Sequence, residues 1–261
     1  LGSEANASND SSMALGVKAT ASGKYSTAFG REAKASNEYS MALGVQATAN
    51  GNSSMAFGLG ATANGEASTA VGDQAKALGN KSTALGTSVT ANGSASTALG
   101  FYSNADGPSS TALGRQATAS GDSSTALGHG AKASNACSTA LGRLAIASGK
   151  VSQALGYQAN ASGDSSTALG ERATASGNSS MAFGTGAKAS GTASTAVGAG
   201  AMTTRDDQLM LGRATTEVSG ANLANSSQDR NAIVVANADG TLSRFEIGGS
   251  GSGDLDGLSS L

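Results

Sequence analysis

Glycine occupies every fourteenth position of this chain, from Gly2 to Gly212. The series has no insertion or deletion over about four fifths of the 261 residues. A globular domain does not keep such a period, whereas a protein built from units that stack on copies of themselves requires one. We therefore expect a stack of fourteen-residue units rather than one or two globular domains.

The composition is that of a narrow stack with little chemistry on it. Aromatic residues make up 3%, tryptophan is absent, and glycine alone accounts for 38 residues, so large side chains are too few to fill a broad core. Charged residues are 13% and the net charge is -2, which argues against a nucleic-acid partner. The sequence contains no run of eighteen apolar residues, so we expect no contact with a membrane in this fragment. Cys137 is the only cysteine, so an internal disulfide is excluded.

The unit has a fixed pattern when its positions are counted from the phased glycine as position 0. Position −1 is large and apolar, −2 is alanine and −4 is serine, while +3 and +5 are nearly always alanine. Position +7 is glycine or asparagine, the residues that most readily take positive φ. Positions 0 and +7 therefore predict two turns with positive φ, which divide the unit into two strands of about four or five residues.

Both strands alternate with period two, which places their small residues on one face. Only alanine, serine and glycine fit between the two strands of so narrow a coil. Each coil then pairs with the next at about 4.8 Å, so about fifteen coils make a rod of roughly 70 Å. The predicted fold is all-β: a parallel β-roll, or solenoid, over residues 1–212.

The large residue at −1 points out of this coil and forms an apolar column along the roll. Such a column requires a cover, and the simplest cover is another copy of the chain, which predicts a homo-oligomer. The opposite strand's outward position, +4, is mostly threonine, lysine and asparagine and predicts a solvated face. The column that we expect in the oligomer core is Leu15, Phe29, Leu43, Phe57, Val71, Leu85, Leu99, Leu113, Leu127, Leu141, Leu155, Leu169, Phe183, Val197 and Leu211.

Units such as YSTAFGREAKASN at 25–37 resemble the head repeats of YadA-like trimeric autotransporter adhesins. The resemblance covers about residues 1–212 and rests on the Ser-x-Ala-(Leu/Phe/Val)-Gly core of each unit. It implies left-handed parallel β-rolls assembled as a homotrimer, with the −1 and −3 columns inside. It also implies a place on the bacterial cell surface, with the outer-membrane anchor outside this fragment. Expected partners are extracellular matrix proteins, host cells, other surfaces, or the same adhesin on neighbouring cells.

The chain departs from that family pattern in two places. The family's asparagine at −5 is replaced by other residues, such as Ser11 and Tyr25. After Gly212 no family neck is evident; instead, Asp239-Gly240 lies between two β-rich runs and predicts a hairpin. We expect a C-terminal cap with this hairpin over 213–247. Residues 248–261 are then a flexible Gly/Ser linker with the possible start of a coiled-coil stalk.

No catalytic or metal-binding constellation is predicted, so we expect neither an enzyme nor a cofactor. His129 is the only histidine and falls in a turn position, and the adjacent Asp206 and Asp207 would point apart on a strand.

Candidates for ligand contact are the aromatic residues in turn positions: Tyr25, Tyr39, Phe101, Tyr102 and Tyr157. The other interpretation is that they pack over a neighbouring protomer. Two other functions remain open from the sequence. One is an ice-binding β-solenoid, although lysine, asparagine, methionine and glutamine interrupt its threonine columns. The other is the shaft of a phage tail fibre.

Overall fold

The computed structural model describes residues 1–212 and the backbone of two further strands, Ala232–Ala236 and Leu242–Glu246. Between Leu1 and Gly212 the chain winds through fifteen coils, and each coil gives one strand to each of two fifteen-stranded parallel sheets. Every regular element in the described part of the chain is a strand, and none is a helix. The predicted parallel β-solenoid is confirmed.

The first sheet is built from two-residue strands at positions +4 and +5. Its strands are Asn6–Ala7, Thr20–Ala21, Lys34–Ala35, Thr48–Ala49, Thr62–Ala63, Lys76–Ala77, Thr90–Ala91, Asn104–Ala105, Thr118–Ala119, Lys132–Ala133, Ile146–Ala147, Asn160–Ala161, Thr174–Ala175, Lys188–Ala189 and Met202–Thr203.

The second sheet is built from three-residue strands at positions −3 to −1. Its strands are Met13–Leu15, Thr27–Phe29, Met41–Leu43, Met55–Phe57, Thr69–Val71, Thr83–Leu85, Thr97–Leu99, Thr111–Leu113, Thr125–Leu127, Thr139–Leu141, Gln153–Leu155, Thr167–Leu169, Met181–Phe183, Thr195–Val197 and Leu209–Leu211.

Neighbouring strands pair each residue with its equivalent fourteen positions later. In the second sheet, for example, Thr111 pairs with Thr125 and Leu113 with Leu127. The coils are joined by main-chain hydrogen bonds, such as the one that the Thr111 N–H donates to the Ser124 carbonyl at 2.9 Å. Each column of the sequence is therefore a ladder in space, with steps of about 4.8 Å.

The interior is a thin layer of small side chains between the two sheets. Beyond the first coil, the alanines at +3, +5 and −2 and the serines at −4 have almost no exposed surface, as Ala119, Ala126 and Ser124 illustrate. Val89 is the largest side chain that is fully buried. Larger residues are kept out because the roll is only one side chain thick between its sheets.

The turns differ from the prediction, which was wrong about position +7. Glycine at +7, such as Gly163, does not have positive φ. The left-handed residues besides the phased glycine lie at +2 and +9, where non-glycine residues such as Arg172 and Ser165 have φ of 53° and 55°. These additional turn residues also explain why the strands are two and three residues long rather than the expected four or five.

Glycine at +7 allows the close approach of two coils. A Cβ on Gly163 would overlap the carbonyl oxygen of Gly177 in the next coil and lie 2.5 Å from its carbonyl carbon. The asparagines of this column add a bond that glycine lacks: Asn135 Nδ2 donates to the Ser148 carbonyl oxygen at 2.6 Å. Close approach of two coils therefore accounts for glycine in this column, and the side-chain bond to the next coil accounts for asparagine; backbone handedness accounts for neither.

The last unit, 199–212, still forms a coil although its sequence departs from the pattern. Thr203 replaces the alanine of position +5 and is fully buried, and its Oγ1 donates to Ser194 Oγ at 2.8 Å. Met210 replaces the alanine at −2 and is partly buried against the core. The hydroxyl pair lets a larger polar side chain occupy the interior without an unpaired donor.

The strands Ala232–Ala236 and Leu242–Glu246 pair antiparallel, with Val234 opposite Arg244. The Asp239-Gly240 turn proposed between them lies outside the described residues, as does the expected linker at 248–261. The assignment of 213–247 as a cap therefore stays a prediction.

Candidate functional site

The outward face of the second sheet carries an apolar ladder at −1 along its whole length, beside a −3 ladder of threonine interrupted by methionine, glutamine and leucine. At position −1, 51% of Phe29 and 40% of Leu99 remain exposed, and at −3 the exposed fraction of Met13 is 61%. The remaining members of the −1 column are exposed or half-buried, and no element of residues 1–212 covers them. An apolar strip of this length on a protein surface is typical of an interaction site.

The outward face of the first sheet is different in character. Its ladder at +4 carries exposed lysines, Lys34, Lys76, Lys132 and Lys188, separated from one another by threonines and a few other residues. Ile146 and Met202 are its exposed apolar members. This face needs no cover, so one sheet presents an apolar column and the other presents a solvated surface.

The first aromatic pair lies in the second turn of the coil, at position +9. The rings of Tyr25 and Tyr39 stack with centroids 5.2 Å apart and planes 8° from parallel. Lys24 Nζ lies 5.2 Å from the Tyr25 ring and 4.0 Å from an oxygen of Asp10. Both tyrosines are exposed, which leaves the outer ring face and edges free for contact.

The other three aromatic residues lie at the opposite edge of the roll, in the turn at +1 and +2. Phe101 and Tyr102 meet edge to face at 4.4 Å between centroids, and both are exposed. Tyr157, four coils further on, is half-buried between two guanidinium groups, those of Arg143 at 5.5 Å and Arg172 at 5.8 Å from its centroid. The five candidate contact residues thus form three separate places on two edges.

Sequence reasoning missed the arginines that accompany Tyr157. The signal was present in the +1 column, where Arg115, His129 and Arg143 stand on three consecutive coils directly before Tyr157. His129 was assigned to a turn position, and the structure places it there, half-buried between the coils of the two arginines.

A shallow depression of about 400 Å³ lies beside the same turn nearer to the N-terminal end. Lys18, Glu32, Lys34, Gln46 and Thr48 line it. Gln46 Nε2 donates to a Glu32 carboxylate oxygen at 3.0 Å, and this bond, with the nearby cationic side chains, lowers the pKa of Glu32. A lone ionised carboxylate in an open depression provides neither an acid–base pair nor a nucleophile.

Metal-binding side chains do not gather in threes anywhere in the part of the chain that the structure describes. A search of the same residues finds no helix with the length and apolar character that a membrane crossing needs. The surface features that remain to carry a function are the apolar face and the turn edges.

The family model described as the YadA head domain repeat, in two copies, matches most of the roll. The matched segments are 1–33, 35–61, 63–88, 91–117, 119–145, 147–173 and 175–201. The chain belongs to the YadA head domain repeat family. This confirms the resemblance of the repeats, and the family and fold of this YadA-like head are those of an adhesin rather than an enzyme.

Among solved structures, the chain is similar to the collagen-binding domain of the Yersinia adhesin YadA. The two are 25% identical with a TM-score of 0.43, over 64% of this chain and 83% of that domain. None of the curated proteins matches this YadA-like head significantly by sequence.

Proposed function

We propose that this chain is the head of a homotrimeric adhesin on the bacterial cell surface. It attaches the cell to matrix proteins, host cells or other surfaces, or to its own kind, by repeated weak contacts. The observation that carries the proposal is the apolar column at −1, which no element of residues 1–212 covers, together with membership of the YadA head family.

The geometry of the roll favours association of parallel copies about an axis along its length. Because every coil repeats the same register, a second copy placed in parallel meets equivalent residues at every step. Burying apolar surface stabilises such an assembly by about 25 cal/mol for each Å² removed from water. Membership of the YadA head family supports a trimer, and we place the −1 column from Leu15 to Leu211 in its core.

The trimer leaves the lysine-bearing first sheet and the turn edges facing outward. The depression lined by Lys18, Glu32 and Lys34 is shallow and open, and small side chains fill the interior of the roll, so each coil offers only a small contact area. Affinity must then come from many coils on three chains engaging an extended partner at once, through effective concentration.

Deletion of whole coils tests the proposed mode of binding. Chains shortened in steps of fourteen residues, to ten and to five coils, keep the register of the roll. We expect binding to a collagen-coated or bare plastic surface to weaken steeply with each step, and substitution of one exposed aromatic residue, such as Tyr39→Ser, to change it little. A single substitution that abolished binding while coil number had no effect would show one discrete site and refute multivalent attachment.

A further inference from the structure

The +1 ladder departs from the way in which the rest of the roll arranges its charges. In the +2 ladder, charges of opposite sign alternate through Glu4, Lys18 and Glu32. The same holds in the +8 ladder. There Asp10, Lys24 and Glu38 alternate in sign, and the lysine approaches the aspartate. Alternation is expected, because like charges facing each other across paired strands or turns are destabilising.

Arg115, His129 and Arg143 differ from this alternation, because His129 and not an acidic residue stands between the two arginines. They occupy the same position on three consecutive coils, about 4.8 Å apart per step. Both arginines are exposed, and neither forms an ion pair with another residue of 1–212. Nothing in the fold requires basic residues there, since other coils place valine, threonine or leucine at the same position.

The flanking ladders on these coils supply no negative charge either. Position +2 holds Gln116, Gly130 and Leu144. Position +4 adds Lys132, whose side chain is exposed. The first acidic residue in the +1 ladder beyond the arginines is Glu171, and it is already paired with Arg172 at 3.4 Å. The patch is therefore a local positive strip on a chain whose net charge is -2.

Aromatic rings close both ends of the strip in the same turn. Phe101 and Tyr102 precede Arg115 by one coil, and Tyr157 follows Arg143 by one coil. The Arg143 guanidinium lies over the Tyr157 ring at 5.5 Å, which fixes the direction of both side chains. From Phe101 to Tyr157 the strip spans four steps, or about 19 Å along the roll.

We propose that this strip, Phe101–Tyr102, Arg115, His129, Arg143 and Tyr157, binds a linear sulfated polysaccharide that lies along the roll. The proposal rests on the proposed adhesin function and narrows its ligand to one chemical class. Such a polymer carries anionic groups at regular intervals, as the ladder carries cations at regular intervals. Arginine guanidinium groups donate two parallel hydrogen bonds to an oxyanion, and the exposed rings of Phe101 and Tyr102 offer apolar surface to sugar rings, while the Tyr157 ring contacts the arginines.

A sulfated polysaccharide fits this strip better than a nucleic acid does. Only two permanently charged side chains form the ladder, whereas nucleic-acid sites rely on neutralising many phosphates and on a strongly basic domain. The strip also recurs on each protomer of the proposed trimer, so a long glycan or several short ones can engage three copies. Binding to several strips at once compensates for the small number of cations in each strip.

The test compares how three purified full-length chains bind immobilised heparin in a buffer of about 0.15 M salt. They are the wild type, the double variant Arg115→Ala/Arg143→Ala, and the control Arg31→Ala. Arg31 occupies the same +1 position but stands alone between coils that carry Val17 and Val45. Sedimentation of each variant reports its assembly, and adhesion to collagen-coated plastic is measured in parallel.

We expect the double variant to lose about tenfold or more in heparin affinity and Arg31→Ala to stay within about twofold. Desulfated heparin should not bind, and single-stranded DNA should compete weakly. Equal binding by the double variant and the control would overturn the proposal, as would DNA competing as well as heparin. Dissociation of the double variant would also overturn it, because the strip would then be a protomer interface. If none of the three chains adhered to collagen while only the double variant lost heparin affinity, the result would count against multivalent protein adhesion and would still support the strip.

Discussion

Replacing Gly163 by alanine should break the roll at one coil, because the backbone of the next coil leaves no room for a Cβ at this position. The added Cβ would lie 2.5 Å from the Gly177 carbonyl carbon and closer still to its oxygen. Carbon atoms pack at about 3.5–4.0 Å, so the two turns must separate by about 1 Å. Both obstacles are main-chain atoms, which no rotamer change can move aside.

The cost follows from the hydrogen bonds that hold these two turns together. Ser162 N–H donates to the Ala175 carbonyl at 2.9 Å, and Ser179 N–H donates to the Asp164 carbonyl at 2.7 Å. A separation of 1 Å lengthens both beyond bonding distance, at about 1 kcal/mol each. With the strain of an overpacked site added, we expect a loss of about 3 kcal/mol per chain.

Two matched variants separate this mechanism from a general intolerance of glycine replacement. Gly186, at +2, has φ of 65° and open space around its Cβ position, so Gly186→Ala should cost only about 1 kcal/mol of left-handed strain. Gly163→Asn should be milder than Gly163→Ala, because asparagine at +7 donates to the next coil, as Asn135 does to Ser148.

The assay is the guanidinium chloride midpoint of each full-length variant, with hydrogen exchange to locate the loss of protection. The change in midpoint should be largest for Gly163→Ala, and lost protection should centre on the coils at 157–184. If Gly186→Ala proved as damaging as Gly163→Ala, backbone handedness rather than close approach would explain the glycine columns.

Two further expectations follow from the faces and charges of the roll. The double variant Leu113→Asp/Leu127→Asp should dissociate the assembly in sedimentation, because unpaired buried charges cost several kcal/mol. The control Lys76→Ala should change the free energy of unfolding by no more than about 0.5 kcal/mol. Equal effects of the two would mean that the faces are wrongly assigned. The Gln46 hydrogen bond holds the pKa of Glu32 below its ordinary value, so the ionised Glu32 stabilises the fold above the pKa that it has in the unfolded chain, and this stabilisation is lost as the pH falls through its pKa in the folded chain. Gln46→Ala should raise the pKa of Glu32 in the folded chain. An NMR titration in which the pKa of Glu32 did not change would contradict this.

The inward- and outward-facing columns of the roll could be predicted from the sequence because one physical requirement, the size of side chain that fits between the sheets, determines the residue in each. Alanine at +3, +5 and −2 and serine at −4 fit between two sheets one side chain apart, and a large residue at −1 does not. Period-two alternation between phased glycines was therefore enough to predict which residues, such as Ala126 and Leu127, face in and out.

The turns could not be predicted as well, because glycine has two uses that the sequence does not distinguish. At position 0 it supplies positive φ, and at +7 it allows coils to approach, as Gly156 and Gly163 show. Residues at +2 and +9, such as Arg172 and Ser165, take left-handed φ without any compositional mark. Arg143 and Tyr157 share the +1 column on neighbouring coils, so the sequence places them side by side, but it does not show that the guanidinium lies over the ring.

Sedimentation equilibrium of the purified 261-residue chain tests the central claim most directly, since adhesion as proposed depends on three rolls sharing one apolar core. The chain has a mass of 25.0 kDa, and three copies give about 75 kDa. We predict that the 75 kDa species persists on dilution to nanomolar concentration. A soluble, folded 25.0 kDa species under the same conditions would contradict the account, because the −1 column would then be stable in water without a cover.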